Sequence, residues 1–379
     1  MKIVANKKCI GCNVCSSVCP NHCISMREAK DGFEYPIIDK RECLNCKACI
    51  NTCPVVNATE QKNSLSLSYA AYSKDEAIRM QSSSGGLFYC LAEKIIELGG
   101  VVFGATFDRD NRLVHRSCDH IDGLKSFCGS KYVQSHIGDC YYEAEKYLKD
   151  SRTVYYSGTP CQISALKHYL RKPYDNLITQ DIICHGVPSP LVLKKYLNKR
   201  QSEVDSRTEM INFRNKDSGW EKYSITIGFE DDSTYQCEYS RDAYMLAFLK
   251  NLSLRESCYH CSFRSKKRES DITLGDFWGI NNILPQMNDD KGTSFIIINS
   301  EIGKKLFDLI DDNIIFQSVD LDEALAANPS MTASVYQPIE RSRFFRDIVN
   351  ADFDYTVRKY LHSNMISKII RKINRKLTQ

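Results

Sequence analysis
The chain has 379 residues, 42% of them hydrophobic and 26% charged, with 18 Gly and 10 Pro. This suits a globular protein of about two domains and excludes a collagen-like, disordered or low-complexity chain. The net charge of +4 is local: residues 355–379 hold seven basic side chains (Arg358, Lys359, Lys368, Arg371, Lys372, Arg375 and Lys376) and no acid, which leaves −3 on the rest and speaks against a nucleic-acid partner. No apolar run approaches the roughly 18 residues of a membrane span. Met1-Lys2-Ile3-Val4-Ala5-Asn6 runs into cysteines without an apolar leader, so the expected location is the cytoplasm. In that reducing setting 18 cysteines point to metal ligands or reactive thiols rather than to disulfides.

Nine of these cysteines lie in residues 1–53, and eight of the nine repeat one spacing. Cys9-x2-Cys12-x2-Cys15-x3-Cys19-Pro20 recurs 34 residues later as Cys43-x2-Cys46-x2-Cys49-x3-Cys53-Pro54. Three thiolates on a short loop suit three irons of a cubane, and the Cys-Pro cysteine of each copy ligates the other cluster. One 4Fe-4S cluster is therefore expected on Cys9, Cys12, Cys15 and Cys53, and a second on Cys43, Cys46, Cys49 and Cys19. A zinc module would instead pair C-x2-C knuckles across a long spacer. Gly11 lets backbone amides approach the sulfides, and Cys23 reads as a small packing residue. Over about residues 1–57 the segment resembles a bacterial-type two-cluster ferredoxin, a carrier of single electrons.

Residues 58–68 are polar and aperiodic and read as a linker. Beyond them the patterns predict strands at Tyr69–Ser73, Val101–Phe107, Val154–Ser157 and Leu177–Ile183, with helices at Leu87–Leu98, Tyr141–Lys149, Pro160–Leu170 and Pro190–Lys199 between them. A β-rich stretch follows at Met210–Phe213, Tyr223–Phe229 and Thr234–Cys237, and the C-terminal third reads as mostly helical. The expected class is α+β or α/β: a small ferredoxin-like domain (1–57), a larger mixed α/β domain (69–350) and a C-terminal helix (351–379).

Ser82-Ser83-Ser84-Gly85-Gly86 precedes the first long helix, a setting that suits either a phosphate or an ordinary serine cap. In Gly158-Thr159-Pro160-Cys161-Gln162 a strand stops, Thr159 caps the next helix and Pro160 starts it, which puts Cys161 at a helix N-terminus where a thiolate is stabilised. Cys184 follows a strand, and Cys258-x2-Cys261 forms a pair. Together Cys161, Cys184, Cys258 and Cys261 make a third set of four thiols: a third 4Fe-4S cluster, a zinc site, or a redox pair with two unrelated cysteines. Cys90, Cys118, Cys128, Cys140 and Cys237 read as packing residues.

Ser83-Ser84-Gly85-Gly86, Gly129-Ser130-Lys131-Tyr132, Gly158-Thr159-Pro160-Cys161-Gln162, Cys184-His185-Gly186, Cys258-x2-Cys261 and Gly275-Asp276-Phe277-Trp278-Gly279 occur in that order. The set resembles the beta subunits of coenzyme F420-reducing hydrogenase and of the matching formate dehydrogenase. That resemblance implies FAD beside an iron-sulfur cluster and hydride exchange with a soluble redox partner; a related flavoprotein, 7-hydroxymethyl chlorophyll a reductase, acts on a different substrate. In this picture Ser84, Gly85 and Gly86 hold the FAD diphosphate, Lys131 beside Tyr132 supplies a cation, Gly158, Thr159 and Gln162 approach the flavin, and Trp278 lines its pocket. Lys131, His185 and Asp276 are the candidate catalytic groups. Clusters pass single electrons and hydride chemistry moves two, so a flavin is the converter the arrangement calls for.

No Gly-x-Gly-x-x-Gly follows a predicted strand to mark a nicotinamide domain. The redox partner is open among ferredoxin, a deazaflavin and a nicotinamide coenzyme, the organic substrate is unspecified, and nothing excludes an oligomer. Two functions are in play: an oxidoreductase with its own substrate, and an electron-transfer subunit that relays electrons to a separate catalytic partner. From Tyr355 to Leu377 apolar residues recur at helical spacing opposite the basic ones, which suits either docking on the domain or peripheral contact with an anionic membrane.

Overall fold
The computed structural model describes residues 3–58 and 64–361. In the first part the repeated cysteine spacing folds into the same turn twice. A left-handed residue (Asn13, φ 66°; Lys47, φ 61°) starts each of two one-turn helices, Val14–Ser17 and Ala48–Asn51. Between them β1 (Ile24–Glu28) and β2 (Glu34–Ile38) pair antiparallel.

The larger part is built on β3 (Leu67–Ser73), β4 (Val101–Phe107), β5 (Leu113–Cys118), β6 (Val154–Ser157), β7 (Leu177–Ile182), β8 (Thr208–Asn215), β9 (Ser224–Phe229), β10 (Thr234–Glu238), β11 (Ile272–Asp276), β12 (Ser294–Ile298) and β13 (Ile314–Ser318). An eight-stranded sheet runs in the order β13-β3-β12-β11-β7-β6-β4-β5, and β8, β9 and β10 form a separate antiparallel sheet. The centre of the large sheet, β11-β7-β6-β4, is parallel, and antiparallel strands close it at both sides. Parallel strands are covered on both faces, which is why β6 is buried from Val154 to Tyr156 and β7 from Leu177 to Asp181, and why helices Leu87–Glu97, Cys140–Lys149 and Pro160–Leu170 alternate with them.

Two expectations change. The C-terminal third is not mostly helical, because it supplies β11, β12 and β13 to the sheet. Of these β12, Ser-Phe-Ile-Ile-Ile, is buried along its whole length and so has no alternation to mark it as a strand. The sheet also begins at Leu67, inside the stretch that reads as a linker, because β3 needs the length to pair with both β12 and β13.

The ferredoxin-like part shares a core with the large part. Cys9, Phe33 and Tyr35 pack in one apolar cluster with Tyr196, Phe213, Tyr244 and Leu254. Polar contacts tie the same interface: Ser189 Oγ donates to the Asp31 carbonyl at 2.6 Å, Gln134 Nε2 to that of Ile10 at 3.0 Å, and Arg341 pairs with Asp31 at 3.3 Å. The last described helix, 353–361, buries Val357 and Tyr360 in this core, and the rest of the amphipathic stripe and its basic residues from 362 on lie outside the described residues. Among the described residues no helix is long and apolar enough to cross a membrane.

Ile296, fully buried at the middle of β12, packs in the cluster that joins the sheet to helix Leu87–Glu97. Ile296→Ala should cost about 3 kcal/mol of stability, read from urea unfolding, and a cost well under 1 kcal/mol would contradict the placement of β12 inside the sheet.

Candidate functional site
The two N-terminal cysteine sets assemble across the repeat. Cys9, Cys12, Cys15 and Cys53 surround one cavity, and Cys19, Cys43, Cys46 and Cys49 surround another. Burial raises the thiol pKa of Cys15 to about 12, with the neighbouring Cys9 and Cys53 adding to the effect. Such thiols ionise readily only when a cation takes the proton's place, as cluster irons do. The two sites differ in access. Cys9, Cys12, Cys15 and Cys53 are all buried, whereas Cys46 is exposed and Cys43 and Cys49 are partly so. Cys23 does more than pack, because its Sγ lies 3.4 Å from that of Cys19 and it lines the second cavity.

Cys161, Cys184, Cys258 and Cys261 also converge. Each of Cys161, Cys184 and Cys258 has its thiol pKa raised by burial, and Cys261 adds to the rise in all three. Cys161 is the second residue of helix Pro160–Leu170, whose capping box is complete: Thr159 and Gln162 bond each other's backbone, and Thr159 Oγ1 lies 3.2 Å from Cys161 Sγ. Among the described residues no three His, Cys, Asp or Glu side chains close on a point that would hold a single metal ion. A cubane asks for something else, four thiolates held apart around a void.

Beside this set lies a cavity of about 520 Å³ at the carboxyl ends of the parallel strands, where ligands of open α/β sheets bind. Its wall includes Ser84, Gly86, Lys131, Tyr132, Gly158, Thr159, Gln162, Cys184, His185, Asp276 and Trp278. Gly85 does not line it. A Cβ there would come within 2.4 Å of the Ala71 carbonyl, and its N–H donates to Ser294 Oγ at 2.9 Å, so Gly85 seats the turn on β3 and β12.

Two candidate catalytic groups are committed to protein partners. Lys131 Nζ donates to the carbonyls of Phe127, Cys128 and Gly129 at 3.0, 2.7 and 3.2 Å, and burial lowers its pKa to about 8. Asp276 pairs with the Arg214 guanidinium at 3.0 Å and accepts from Trp220 Nε1 at 3.1 Å. The third, His185, engages Asn251 Oδ1 through Nε2 at 2.8 Å.

Arg214, His115 and Asn328 also line the cavity, and nothing in their local sequence marks them. Arg214 lies over the Tyr223 ring at 4.0 Å. Cys128, expected only to pack, is in the wall as well. Four side-chain atoms of this wall are buried without a hydrogen-bond partner in the protein: Ser84 Oγ, His115 Nδ1, Arg214 Nε and Asn328 Nδ2. Unpaired buried polar atoms are costly, and a cluster of them around one void points to a polar ligand. The donor set suits a large, partly anionic cofactor such as FAD: hydroxyls and a guanidinium at one part of the wall, with Tyr132, Phe248 and Trp278 as flat apolar surfaces.

The geometry defines an iron-sulfur electron-transfer protein with a cofactor-sized cavity. Residues 8–57 match the 4Fe-4S dicluster domain, and residues 151–324 match the family described as the C terminus of the beta subunit of coenzyme F420 hydrogenase/dehydrogenase. The chain thus carries a segment similar to a dicluster ferredoxin domain ahead of one similar to the C terminus of that beta subunit. No curated protein matches the chain. Among solved structures, a chain of the xenon-derivatized F420-reducing NiFe hydrogenase complex from Methanosarcina barkeri is similar at 16% identity and a TM-score of 0.48, over 72% of this chain and 92% of that one.

Burial, helped by the nearby Lys131 ammonium, lowers the His115 pKa to about 4, against the hydrogen bond to the Ser157 carbonyl that favours the charged ring. The fold therefore prefers neutral His115. Its contribution is complete above the unfolded value near 6.5 and is lost as pH falls through about 4, a change of about 3 kcal/mol. His115→Gln in the cofactor-free protein should flatten this part of the stability-pH curve, measured by urea unfolding between pH 7 and 4; an unchanged slope refutes the assignment. Asp276→Ala strands the buried Arg214 charge and should cost roughly 3 kcal/mol, seen as a lower Tm.

Proposed function
We propose that the chain is an iron-sulfur flavoprotein oxidoreductase. Electrons pass between the two N-terminal clusters, a third 4Fe-4S cluster on Cys161, Cys184, Cys258 and Cys261, and FAD in the cavity, where coenzyme F420 or another organic molecule is reduced or oxidised. The observation that carries this reading is the cavity itself, with four unpartnered buried polar atoms in its wall and Cys184 of the third cysteine set beside them.

FAD, when bound, supplies the exchange between single electrons and hydride. The chain's own residues do the rest. Ser84 and the Gly85-Gly86 turn at the head of helix Leu87–Glu97 would hold the diphosphate, Ser84 with its free hydroxyl and Gly85 by seating the turn. Lys131 shapes the Gly129-Ser130 loop, and Ser130 N–H donates to Ser83 Oγ, so the two phosphate-side loops are tied together. Gly158, Thr159 and Gln162 form a rigid edge between cavity and cysteines, braced by Gln162 Nε2 donating to Ser135 Oγ at 2.8 Å. Arg214 offers positive charge, and Asp276 holds it in place. With Lys131 and Asp276 committed, His185 is the remaining candidate to hold a proton, at Nδ1.

Access sets the order of the electron route. The exposed Cys46 site faces outside donors or acceptors, the buried Cys9 site lies inside, and Tyr141 within electrostatic reach of both Cys12 and Cys161 supports the third set as the next in line. The decisive experiment is anaerobic purification with assays for iron, sulfide, zinc and released flavin. About 12 irons and one FAD per chain are expected. Cys161→Ser should remove about a third of the iron and leave the dicluster domain's share in place. Zinc in place of the third cluster, or no flavin, defeats the proposal.

A further inference from the structure
We propose that Arg255 is the counter-charge of the first N-terminal cluster, that it raises the reduction potential of that cluster, and that it ties the cluster to the loop carrying Cys258. This rests on the reading above that both cysteine sets carry clusters.

Six arginines are buried among the described residues: Arg79, Arg200, Arg214, Arg255, Arg268 and Arg341. Five of them have a carboxylate within ion-pair distance: Asp289, Asp354, Asp276, Asp181 and Asp31 respectively. Arg255 is the exception, although it is only 1% exposed. Its Nε donates to the Cys9 carbonyl at 2.7 Å, Nη2 to the Glu34 carbonyl at 2.8 Å and to Cys9 Sγ at 3.7 Å, and Nη1 to Gln134 Oε1 at 2.8 Å. The guanidinium also lies 4.5 Å from the centre of the Tyr35 ring. All of these partners are neutral except the cysteine sulfur when it is a ligand.

A buried cation with no carboxylate in ion-pair contact, and only the more distant Glu34 carboxylate acting on it, is unfavourable, so this arrangement calls for negative charge at Cys9. A cubane ligated by four thiolates is a net anion in both oxidation states and gains one more negative charge on reduction. A fixed guanidinium against one of its sulfurs therefore favours the reduced form.

The second half of the argument is where Arg255 comes from. It precedes the 3-10 helix Glu256–His260, and its carbonyl accepts the Cys258 N–H at 3.0 Å. One residue thus joins a ligand of the first cluster, through its guanidinium, to the loop that carries a ligand of the third, through its carbonyl. Gly11 makes room for it, since a Cβ there would come within 2.6 Å of Arg255 Nη1, and its φ of +68° disfavours any other residue. The transfer itself moves one electron from the first cluster, which is oxidised, to the third, which is reduced. No bond is made or broken and no proton is needed.

The test is a redox titration of the full chain followed by EPR, with R255Q, R255K and R341Q beside the wild type and iron assayed in each. R255Q is expected to keep its iron, while the reduced-to-oxidised ratio of the first cluster at its wild-type midpoint falls about tenfold. R341Q breaks the Asp31 ion pair of the same interface without touching a cysteine, and it should leave that midpoint in place. A wild-type titration by iron-replete R255Q overturns the proposal, as does an equal shift in R341Q, which would reduce Arg255 to a docking contact. If R255Q loses iron, R255K decides: a smaller shift in the same direction supports the proposal and an unchanged midpoint overturns it. A wild type that carries only the dicluster irons would sink the reading of the Cys161 set, and the first-cluster midpoint would still report on Arg255.

Discussion
The parallel centre of the large sheet is the constraint on which the rest of the molecule depends. Strands β4, β6, β7 and β11 all run the same way, so the turns that follow them emerge at one edge. That edge receives Gly158-Thr159 after β6, Cys184-His185-Gly186 after β7 and Asp276-Phe277-Trp278 at the end of β11. Residues more than 100 positions apart in the chain thereby share one cavity wall, and two of the four cysteines of the third set arrive there on the same turns. The strands themselves are buried on both faces and cannot shift by a residue without exposing apolar side chains, which holds the turns in register.

The docking of the ferredoxin-like part is the second organising feature. A two-cluster ferredoxin joined by a flexible tether would meet its partner transiently, whereas here Phe33 and Tyr35 of the hairpin enter the core of the large part. Polar pairs cross the interface: Arg341 with Asp31, His136 with Glu34, and Ser189 with the Asp31 carbonyl. Within this seam the buried Cys9 set is turned inward and the Cys46 set outward. The same contacts that stabilise the interface therefore give the electron route an inside and an outside end.

The cavity is polar where a protein interior usually is not. Arg214 and Lys216 are both buried beside the Ser82–Gly86 turn, and burial together with the Arg214 and Arg79 guanidinium groups lowers the Lys216 pKa to about 7. Lys216 answers with three carbonyls, those of Arg79, Ser84 and Lys291. Concentrating this much positive charge under a turn that leaves the Ser84 hydroxyl unsatisfied is a costly way to build a core and a sensible way to build an anion site.

Much of this was legible in the residues alone. The two N-terminal cysteine sets, including the exchange of Cys19 and Cys53 between them, follow from spacing, because cluster ligation demands short loops that the chain displays directly. Strands β4 and β6 and the helices Cys140–Lys149 and Pro160–Leu170 were equally plain, since alternation of buried strands with amphipathic helices has a local signature, whereas the edge strand β5 (Leu113–Cys118) was not read from the sequence. What tertiary structure decided is everything that rests on contacts across long separations. The burial of β12, the turning of Gly85 away from the cavity, the commitment of Lys131 and Asp276 to protein partners, and the arrival of His115, Arg214 and Asn328 in the wall have no local mark. Arg255 shows the reason most clearly: it is an arginine in a polar stretch of sequence, and only the packing of two domains against each other makes it a buried charge whose nearest anion would be a cluster 246 positions away at Cys9.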